Sequence, residues 1–296
     1  MKHLITVGVD GSRASLDAAD WAAREAALRG LPLRLLHADE ATAHPTHRPA
    51  PQALAGRVRT ALDRVALGLS YAHPGLEIHA GQEAGAPVEV LAEAALGSDT
   101  LVLGSRGLSG VAAFLAGSVA SGVTARAERP VVLVRSGELP EDAHLLGADG
   151  APSRRTPYRP VVLGLDVDRP SEDVLAYAFE AAALRGAPLH VVHAWTLPPL
   201  SSRTPGFVVP AEPAELQTNT QDTLATILQP WRRKYPDTPV TEHVVYGRAG
   251  HELLKAATAG CLLVIGRSMP AGPRLGRTAQ SVIHHVVCPV AVIPHH

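Results

Sequence analysis

Residues 8–38 read GVDGSRASLDAADWAAREAALRGLPLRLLHA, and residues 164–194 read GLDVDRPSEDVLAYAFEAAALRGAPLHVVHA. The two stretches align without a gap. Three polar residues keep their places in the repeat, Asp10 as Asp166, Ser15 as Ser171 and His37 as His193. Each stretch passes from a short apolar run through an amphipathic helical pattern to a second apolar run, which predicts a strand, a helix and a strand. The chain is therefore predicted to be a tandem of two similar α/β domains.

The length of the chain agrees with two domains. It has 296 residues, and a domain commonly takes ~150 residues. Between the repeats, residues 135–160 are rich in Gly, Pro, Asp and Arg and show no sustained periodicity, which is typical of a linker. The predicted division is a first domain at residues 1–140, a linker at 141–158 and a second domain at 159–296.

Within each half, short β-branched runs alternate with helical patterns, which is typical of a mostly parallel sheet covered by helices on both faces. Strands are predicted at residues 3–9, 33–38, 76–80, 100–103 and 131–134, and again at 161–165, 189–194, 241–246, 262–265 and 290–293. Helices are predicted at residues 13–29, 52–71, 87–96 and 118–127, and again at 171–185, 213–234, 250–259 and 277–286. The final strand of each half would be an exposed apolar edge, and such edges template pairing.

A glycine-rich stretch, Leu103-Gly104-Ser105-Arg106-Gly107, is followed after nine residues by Gly117-Ser118-Val119. Glycines let the backbone turn tightly and approach a ligand, and the free N–H groups at the start of a helix attract phosphate. Glycines at such places can also simply end a strand or cap a helix. The pattern is not a Walker motif, because no Gly-Lys-Ser or Gly-Lys-Thr occurs in the chain.

The spacing Gly-x2-Gly-x9-Gly-Ser resembles the ATP-binding signature of the universal stress protein family, and the resemblance covers nearly all of both halves. It implies two open parallel-sheet domains with a Rossmann-like, adenine-nucleotide α-hydrolase-like fold and the strand order 3-2-1-4-5. It also implies that the final strands of the two halves pair across a two-fold axis, so that one chain forms a pseudo-dimer. Further association into a homodimer is compatible with this arrangement.

The resemblance places ATP in the first half, with a divalent ion such as Mg²⁺ bridging its phosphates. Asp10 and the backbone of Ala38 would hold adenine and ribose, while Leu103 and Gly104 would pass beneath the sugar and phosphates. The phosphate contacts would come from Gly107, Gly117, Ser118 and Val119, and Arg106 would neutralise phosphate charge. The alternative for Asp10 is a purely local Asx-turn, because Asp before Gly-Ser commonly forms one.

The second half departs from this pattern. Val167 replaces Gly11, Arg277 replaces Ser118, and Met269-Pro270 stands in place of the second glycine in a loop that is three residues shorter. The Arg277 side chain is expected to fill part of the anion pocket, although its charge would also attract phosphate from another angle. A weak or empty second site is therefore expected, at Asp166, Ala194, Ile265, Gly266, Gly276, Arg277 and Thr278.

The composition of the chain indicates no particular class of binding partner. The net charge is -1, with 27 basic and 28 acidic residues, which gives no general attraction to nucleic acid or to an anionic membrane. No apolar run reaches the ~18 residues that span a bilayer, and the start of the chain leads directly into a strand, so a cytoplasmic protein is expected.

Several other side chains invite functional interpretations. Cys261 and Cys288 are interpreted as small buried hydrophobic residues, with a redox switch as the alternative. His37 and His193 are interpreted as residues at strand ends beside the crevice, with metal ligation as the alternative. Asp17, Asp20 and Glu25 are expected on the solvated face of the first helix.

Two function classes remain. In the first, the protein is an ATP-binding regulator of the stress response that meets an unidentified protein partner and is at most a slow ATPase. No catalytic residue is assigned, because local sequence suggests neither a Ser/His/Asp nor a Cys/His arrangement. In the second, it is a nucleotide-free interaction module with the same fold. The intact glycine motif favours the first class.

Overall fold

The computed structural model describes residues 3–39, 52–107, 114–115, 117–196, 213–269 and 274–296. The first half contains β1 (Ile5–Gly8), α1 (Arg13–Arg29), β2 (Leu33–Asp39), α2 (Gln52–Ala72), β3 (Ile78–Ala84), α3 (Pro87–Leu96), β4 (Thr100–Gly107), β5 (Phe114–Leu115), α4 (Ser118–Arg126) and β6 (Val131–Arg135). The second half contains β7 (Val161–Gly164), α5 (Glu172–Arg185), β8 (Leu189–Trp195), α6 (Pro213–Lys234), β9 (Val240–Tyr246), α7 (Ala249–Ala257), β10 (Leu262–Ser268), α8 (Arg277–His285) and β11 (Val290–His295). Every predicted strand and helix is present, with ends that differ by a few residues.

Serine and glycine caps fix the ends of α1 and α5, although the two serines are not counterparts in the repeat. Ser12 and Ser171 are the N-caps, and each side chain accepts a hydrogen bond from a backbone N–H of the first turn. Gly30 and Gly186 are the C-caps, with φ of 65° and 57°, a left-handed conformation that glycine adopts without steric cost. The Arg-Gly pair in both repeats therefore marks where each helix stops.

The strands form one continuous sheet in the order β3-β2-β1-β4-β6-β11-β10-β7-β8-β9, and β5 pairs antiparallel with the end of β4. Apart from β5, the paired strands within each half are parallel. Counted without β5, each half has the order 3-2-1-4-5, which confirms the predicted α/β fold. The two final strands, β6 and β11, pair with each other and run antiparallel, with Val132 opposite Ala291.

This antiparallel pairing decides where the two halves present their ligand-binding edges. Because β6 and β11 run in opposite directions, the strands of the two halves point their carboxyl ends towards opposite edges of the shared sheet. Ligands of open parallel sheets bind outside the carboxyl ends of the strands. Each half therefore offers its own crevice, and the two crevices lie at opposite edges.

The core consists of one apolar layer on each face of the sheet. Helices α1, α2, α5 and α6 pack on one face, and α3, α4, α7 and α8 pack on the other. Both layers contain residues of both halves, such as Ile5 with Phe179 and Leu101 with Leu263. None of the helices in the described ranges is long and apolar enough to cross a membrane.

The segment between the halves is an ordered structure rather than an open coil. A 3₁₀ turn, Pro140–Ala143, is followed by an antiparallel bridge between His144 and Tyr158. Glu138 is buried and accepts a hydrogen bond from Arg24 of α1 at 2.5 Å. This segment therefore packs against the first half, because its polar groups find partners there.

A buried ion-pair cluster joins α1 to α5. Arg29 donates to Glu25 at 2.7 Å within α1, and Arg185 of α5 donates to the other oxygen of the same carboxylate. The Glu25 side chain is 1% exposed, so the expectation that it lies on a solvated face was wrong. The helix turns this position towards α5, which one-dimensional periodicity does not reveal. Arg29 and Arg185 occupy the same place in the repeat, whereas the counterpart of Glu25 is Ala181, so one buried carboxylate pairs with both arginines. Arg29 also pairs with the more exposed Glu180 of α5 at 2.7 Å.

We predict that Glu25→Gln lowers the free energy of unfolding at neutral pH by about 3–5 kcal/mol, because it removes the counter-charge of the buried Arg185 and leaves the buried Arg29 paired only with the more exposed Glu180. Burial alone raises the pKa of the Glu25 carboxyl, but Arg185 and Arg29 outweigh it and hold the pKa below 4.5. The stabilisation is therefore present above pH 4.5 and is lost as the pH falls through the lowered pKa. Urea unfolding at several pH values measures the difference between the two proteins.

The matched control is Glu77→Gln, which removes a carboxylate from an exposed pair with His79 and should change stability by about 0–1 kcal/mol. Equal unfolding free energies for the wild type and Glu25→Gln at pH 7 would contradict the role given to the buried cluster.

Candidate functional site

A cavity of about 240 Å³ lies at the carboxyl ends of β1, β2 and β4 and at the start of α4. Most of the predicted first-site residues line it, namely Asp10, Ala38, Leu103, Gly104, Gly117, Ser118 and Val119. His37 also lines it, as expected for a residue beside the crevice, and further lining residues that were not predicted include Ser12, Ser15, Pro87 and Leu91. Pro87 and Leu91 belong to α3, which closes one side of the crevice. The apolar face of this helix was the only signal in the sequence that could have predicted this contact.

Two of the predicted residues stand at the end of β4. The backbones of Arg106 and Gly107 pair with Leu115 and Phe114 of β5. The structure does not describe the side chain of Arg106, and residues 108–113 and 116 are also outside the described ranges.

The two glycines of the motif differ in what the fold requires of them. A Cβ atom on Gly104 would lie 2.4 Å from the backbone carbon and oxygen of Ala14, so the first turn of α1 packs directly on this glycine. A Cβ atom on Gly117 would meet nothing within 4 Å, and its φ of −57° suits any residue. Gly104 is therefore needed for helix packing, whereas packing within the described chain does not require Gly117.

The Asp10-Gly11-Ser12 turn brings the end of β1 to the mouth of the cavity. Gly11 has a φ of 81°, which other residues adopt only with strain. The Asp10 carboxylate accepts the Ser12 N–H at 2.9 Å, which is the Asx-turn named as the alternative to ligand binding. The carboxylate is exposed at the cavity mouth, so the turn holds it in place without burying it.

His37 and His193 occupy equivalent places at the ends of β2 and β8. Their Nδ1 atoms lie 2.7 Å and 3.0 Å from the carbonyl oxygens of Val9 and Leu165. Because a carbonyl only accepts, Nδ1 of each ring must carry the proton and donate. Among the described residues, no group of three or more His, Cys, Asp or Glu side chains is placed to hold a metal ion.

The second half has a larger cavity, of about 660 Å³. The predicted residues that line it are Asp166, Ala194, Ile265, Gly266 and Thr278. Gly276 and Arg277 do not line it, and both are exposed. The expectation that Arg277 fills part of the anion pocket was wrong, because this side chain points to solvent from the first position of α8.

The late start of α5 contributes to the larger volume. The counterpart of the first residue of α1, Arg13, is Arg169, but α5 begins three residues later, at Glu172. Pro170 disfavours a helical conformation for Arg169, so Ser171 becomes the N-cap. The turn of helix that packs on Gly104 in the first half is therefore missing above Gly266 in the second.

The two cysteines are buried and free. Burial raises the pKa of the Cys261 thiol to about 11 and also raises the pKa of Cys288. The thiolate is the reactive form of cysteine, so both side chains are poor nucleophiles at neutral pH. This supports their interpretation as small buried hydrophobic residues.

We predict that Gly104→Ala lowers the free energy of unfolding by about 1–3 kcal/mol without any ligand present, because the added methyl meets the backbone of α1. The matched variant is Gly266→Ala, where the nearest atoms belong to the side-chain ring of His295, which can rotate away. Urea unfolding should show the larger loss for Gly104→Ala. Equal losses for the two variants would contradict the packing role of Gly104.

Comparisons with known proteins agree with this geometry. The sequence model of the universal stress protein family matches residues 1–135 and 157–294. Universal stress protein Rv2005c of Mycobacterium tuberculosis (strain ATCC 25618 / H37Rv) is 32% identical over 315 residues, covering 98% of this chain and 97% of the relative. Universal stress protein Rv1996 of the same strain is 31% identical over 311 residues, covering 97% and 94%. The crystal structure of a universal stress protein from Archaeoglobus fulgidus DSM 4304 matches the fold with a TM-score of 0.75 at 18% identity, covering 99% and 98%.

Proposed function

The chain belongs to the universal stress protein family, and we propose that its first cavity binds ATP and that the protein acts as a nucleotide-dependent regulator in the stress response. The observation that carries this proposal is the meeting of Gly117 and Ser118, at the start of α4, with the carboxyl ends of β1 and β4 in one cavity. The first N–H groups of a helix have no partners within it and favour phosphate. The N-cap, Gly117, has no side chain that could accept hydrogen bonds from these N–H groups in place of a phosphate.

The rest of the cavity suits the nucleoside part of ATP. Leu36, Leu91 and Leu103 give it apolar walls, and Asp10 and Ala38 lie at its other polar end. We propose that adenine and ribose bind there, with the Asp10 carboxylate accepting a ribose hydroxyl. Mg²⁺ would be carried by the phosphates, since the described residues offer no cluster of protein ligands for it.

The proposed role is binding rather than rapid hydrolysis. Among the residues that line the first cavity, Asp10 is engaged by the Ser12 N–H, and His37 is held by the carbonyl of Val9. Both stand at the carboxyl ends of β1 and β2, at the end of the cavity that we assign to the nucleoside, so neither is proposed as a general base beside the phosphate end. Bound nucleotide would therefore act as a signal, and we propose that it controls contact with a protein partner in the cytoplasm.

A nucleotide-free interaction module is the second candidate. The packing of Gly104 on Ala14 and the Asx-turn of Asp10 favour it, because both give these residues a purely structural reason to be present. Gly117 separates the two candidates, since packing gives no such reason for that glycine.

We predict that Gly117→Ala weakens ATP binding by at least tenfold in isothermal titration, because the methyl enters the space proposed for phosphate while meeting no atom of the described residues within 4 Å. A tenfold loss corresponds to about 1.4 kcal/mol. The fold should be unaffected, which circular dichroism and urea unfolding check.

Gly276→Ala is the matched control. Gly276 is the N-cap of α8, has no atom of the described chain within 4 Å of its Cβ position, and has nearly the same backbone angles as Gly117. It lies outside the wall of the second cavity, so ATP affinity should stay at the wild-type value. An unchanged affinity in a folded Gly117→Ala protein would overturn the proposed site.

A further inference from the structure

Arg267, near the end of β10 in the second half, contacts a helix of the first half. Its side chain is buried, and its guanidinium donates a hydrogen bond to the backbone carbonyl of Ala127, the C-cap of α4. The same guanidinium nitrogen lies 3.7 Å from the sulfur of Met269. A cation of the second half is therefore fixed against the carboxyl end of α4.

The contact suits the charge at this end of the helix. The last carbonyls of a helix have no partner within it and carry partial negative charge, so a nearby cation is favourable. Burial lowers the pKa of the Arg267 guanidinium, and the carboxylate of Glu128, the residue after Ala127, partly offsets this. Without Arg267, the Ala127 carbonyl would lose its donor and the Glu128 carboxylate would be left at the negative end of α4.

The opposite end of α4 is the one that we assign to phosphate. The helix has nine residues, so its two ends are only about 13 Å apart. Gly117 and Ser118, at its start, line the first cavity, and no side chain caps this end. The position of the start therefore depends on packing along the helix, including its contact with α3, and on what holds its carboxyl end.

The counterpart of Arg267 makes no such contact. The repeat places Ser105 at the position of Arg267, and Val286, the C-cap of α8, at the position of Ala127. The Ser105 hydroxyl donates to the carbonyl of Val134, within its own half. The substitution of arginine for serine thus adds a bond from the second half to the first that the repeat does not return.

We propose that Arg267 is a positioning residue of the ATP site, through which the second half holds α4 so that the start of this helix faces the phosphates. The inference rests on the proposed function, which places phosphate at Gly117 and Ser118. The second half then contributes to nucleotide binding by the first half, although its residues do not line the first cavity.

The test compares the wild type with Arg267→Met, which removes the charge and the donor groups but keeps a long side chain. We expect the ATP affinity in isothermal titration to fall by about fivefold or more, the scale of a partly buried charge at a helix end. The adenosine affinity, measured by competition with ATP, should stay within twofold, because adenosine lacks the phosphates that meet α4. Arg267→Lys restores a charge and a donor and should recover most of the ATP affinity.

Arg126→Met is the matched control. Arg126 lies in the last turn of α4, is exposed, and donates to the carbonyl of Gly122 in the same helix. Its loss removes a charge from the same end of α4 without touching the second half, so the ATP affinity should stay within twofold. Urea unfolding checks the fold of each variant. If Arg267→Met does not fold, Arg267→Gln, which removes only the charge and keeps a polar side chain, takes its place in every comparison.

Hydrogen exchange without ligand separates this inference from the proposed function. The backbone amides of α4 should exchange faster in Arg267→Met than in the wild type, whereas those of α8, the counterpart helix, should not change. If the wild type binds no ATP but α4 responds in this way, the proposed function fails and the role of Arg267 in holding α4 stands. Unchanged exchange in α4 of a folded variant, or equal losses of ATP and adenosine affinity, would overturn the inference.

Discussion

The antiparallel pairing of β6 with β11 is the constraint on which the rest of the molecule depends. It turns two five-stranded parallel arrangements into one sheet and leaves neither apolar final strand as a free edge. It also brings α1 and α5 together on one face, where the Glu25 carboxylate meets Arg29 and Arg185. Because the pairing reverses strand direction, the two crevices lie at opposite edges of the sheet. Each crevice is therefore lined by residues of its own half.

Fusion of the halves into one chain frees each of them to diverge. A symmetric dimer would place a carboxylate at position 25 of both partners, whereas this chain has Glu25 in one half and Ala181 in the other, and two arginines share one buried carboxylate. The crevices diverge in the same way. The wall of the first includes the N-cap and first residue of α4, while the wall of the second includes α8 only from Thr278 onward and also includes Trp195. The same fold thus carries two chemically different cavities.

Most of the fold was accessible from the sequence because its signals are local. The caps Ser12 and Gly30 lie beside the helix they delimit, and the predicted α1 bounds, Arg13–Arg29, are those observed. The strand order came from the family resemblance. What depends on packing between elements was missed: Glu25 faces α5, and Arg277 points away from its cavity. The late start of α5 was predicted to within one residue, at residue 171, but its effect on the second cavity was not, and the packing role of Gly104 depends on a helix distant in sequence.

The central claim is that only the first half retains a nucleotide, because α4 lines the first cavity from its N-cap Gly117 onward, whereas α8 lines the second cavity only from Thr278. Native mass spectrometry of the protein after incubation with excess ATP and Mg²⁺ and rapid desalting tests this claim most directly. The account predicts a single added mass of one ATP per chain, with or without its metal ion. A protein that carries no nucleotide, or one that carries two with equal retention, would contradict it.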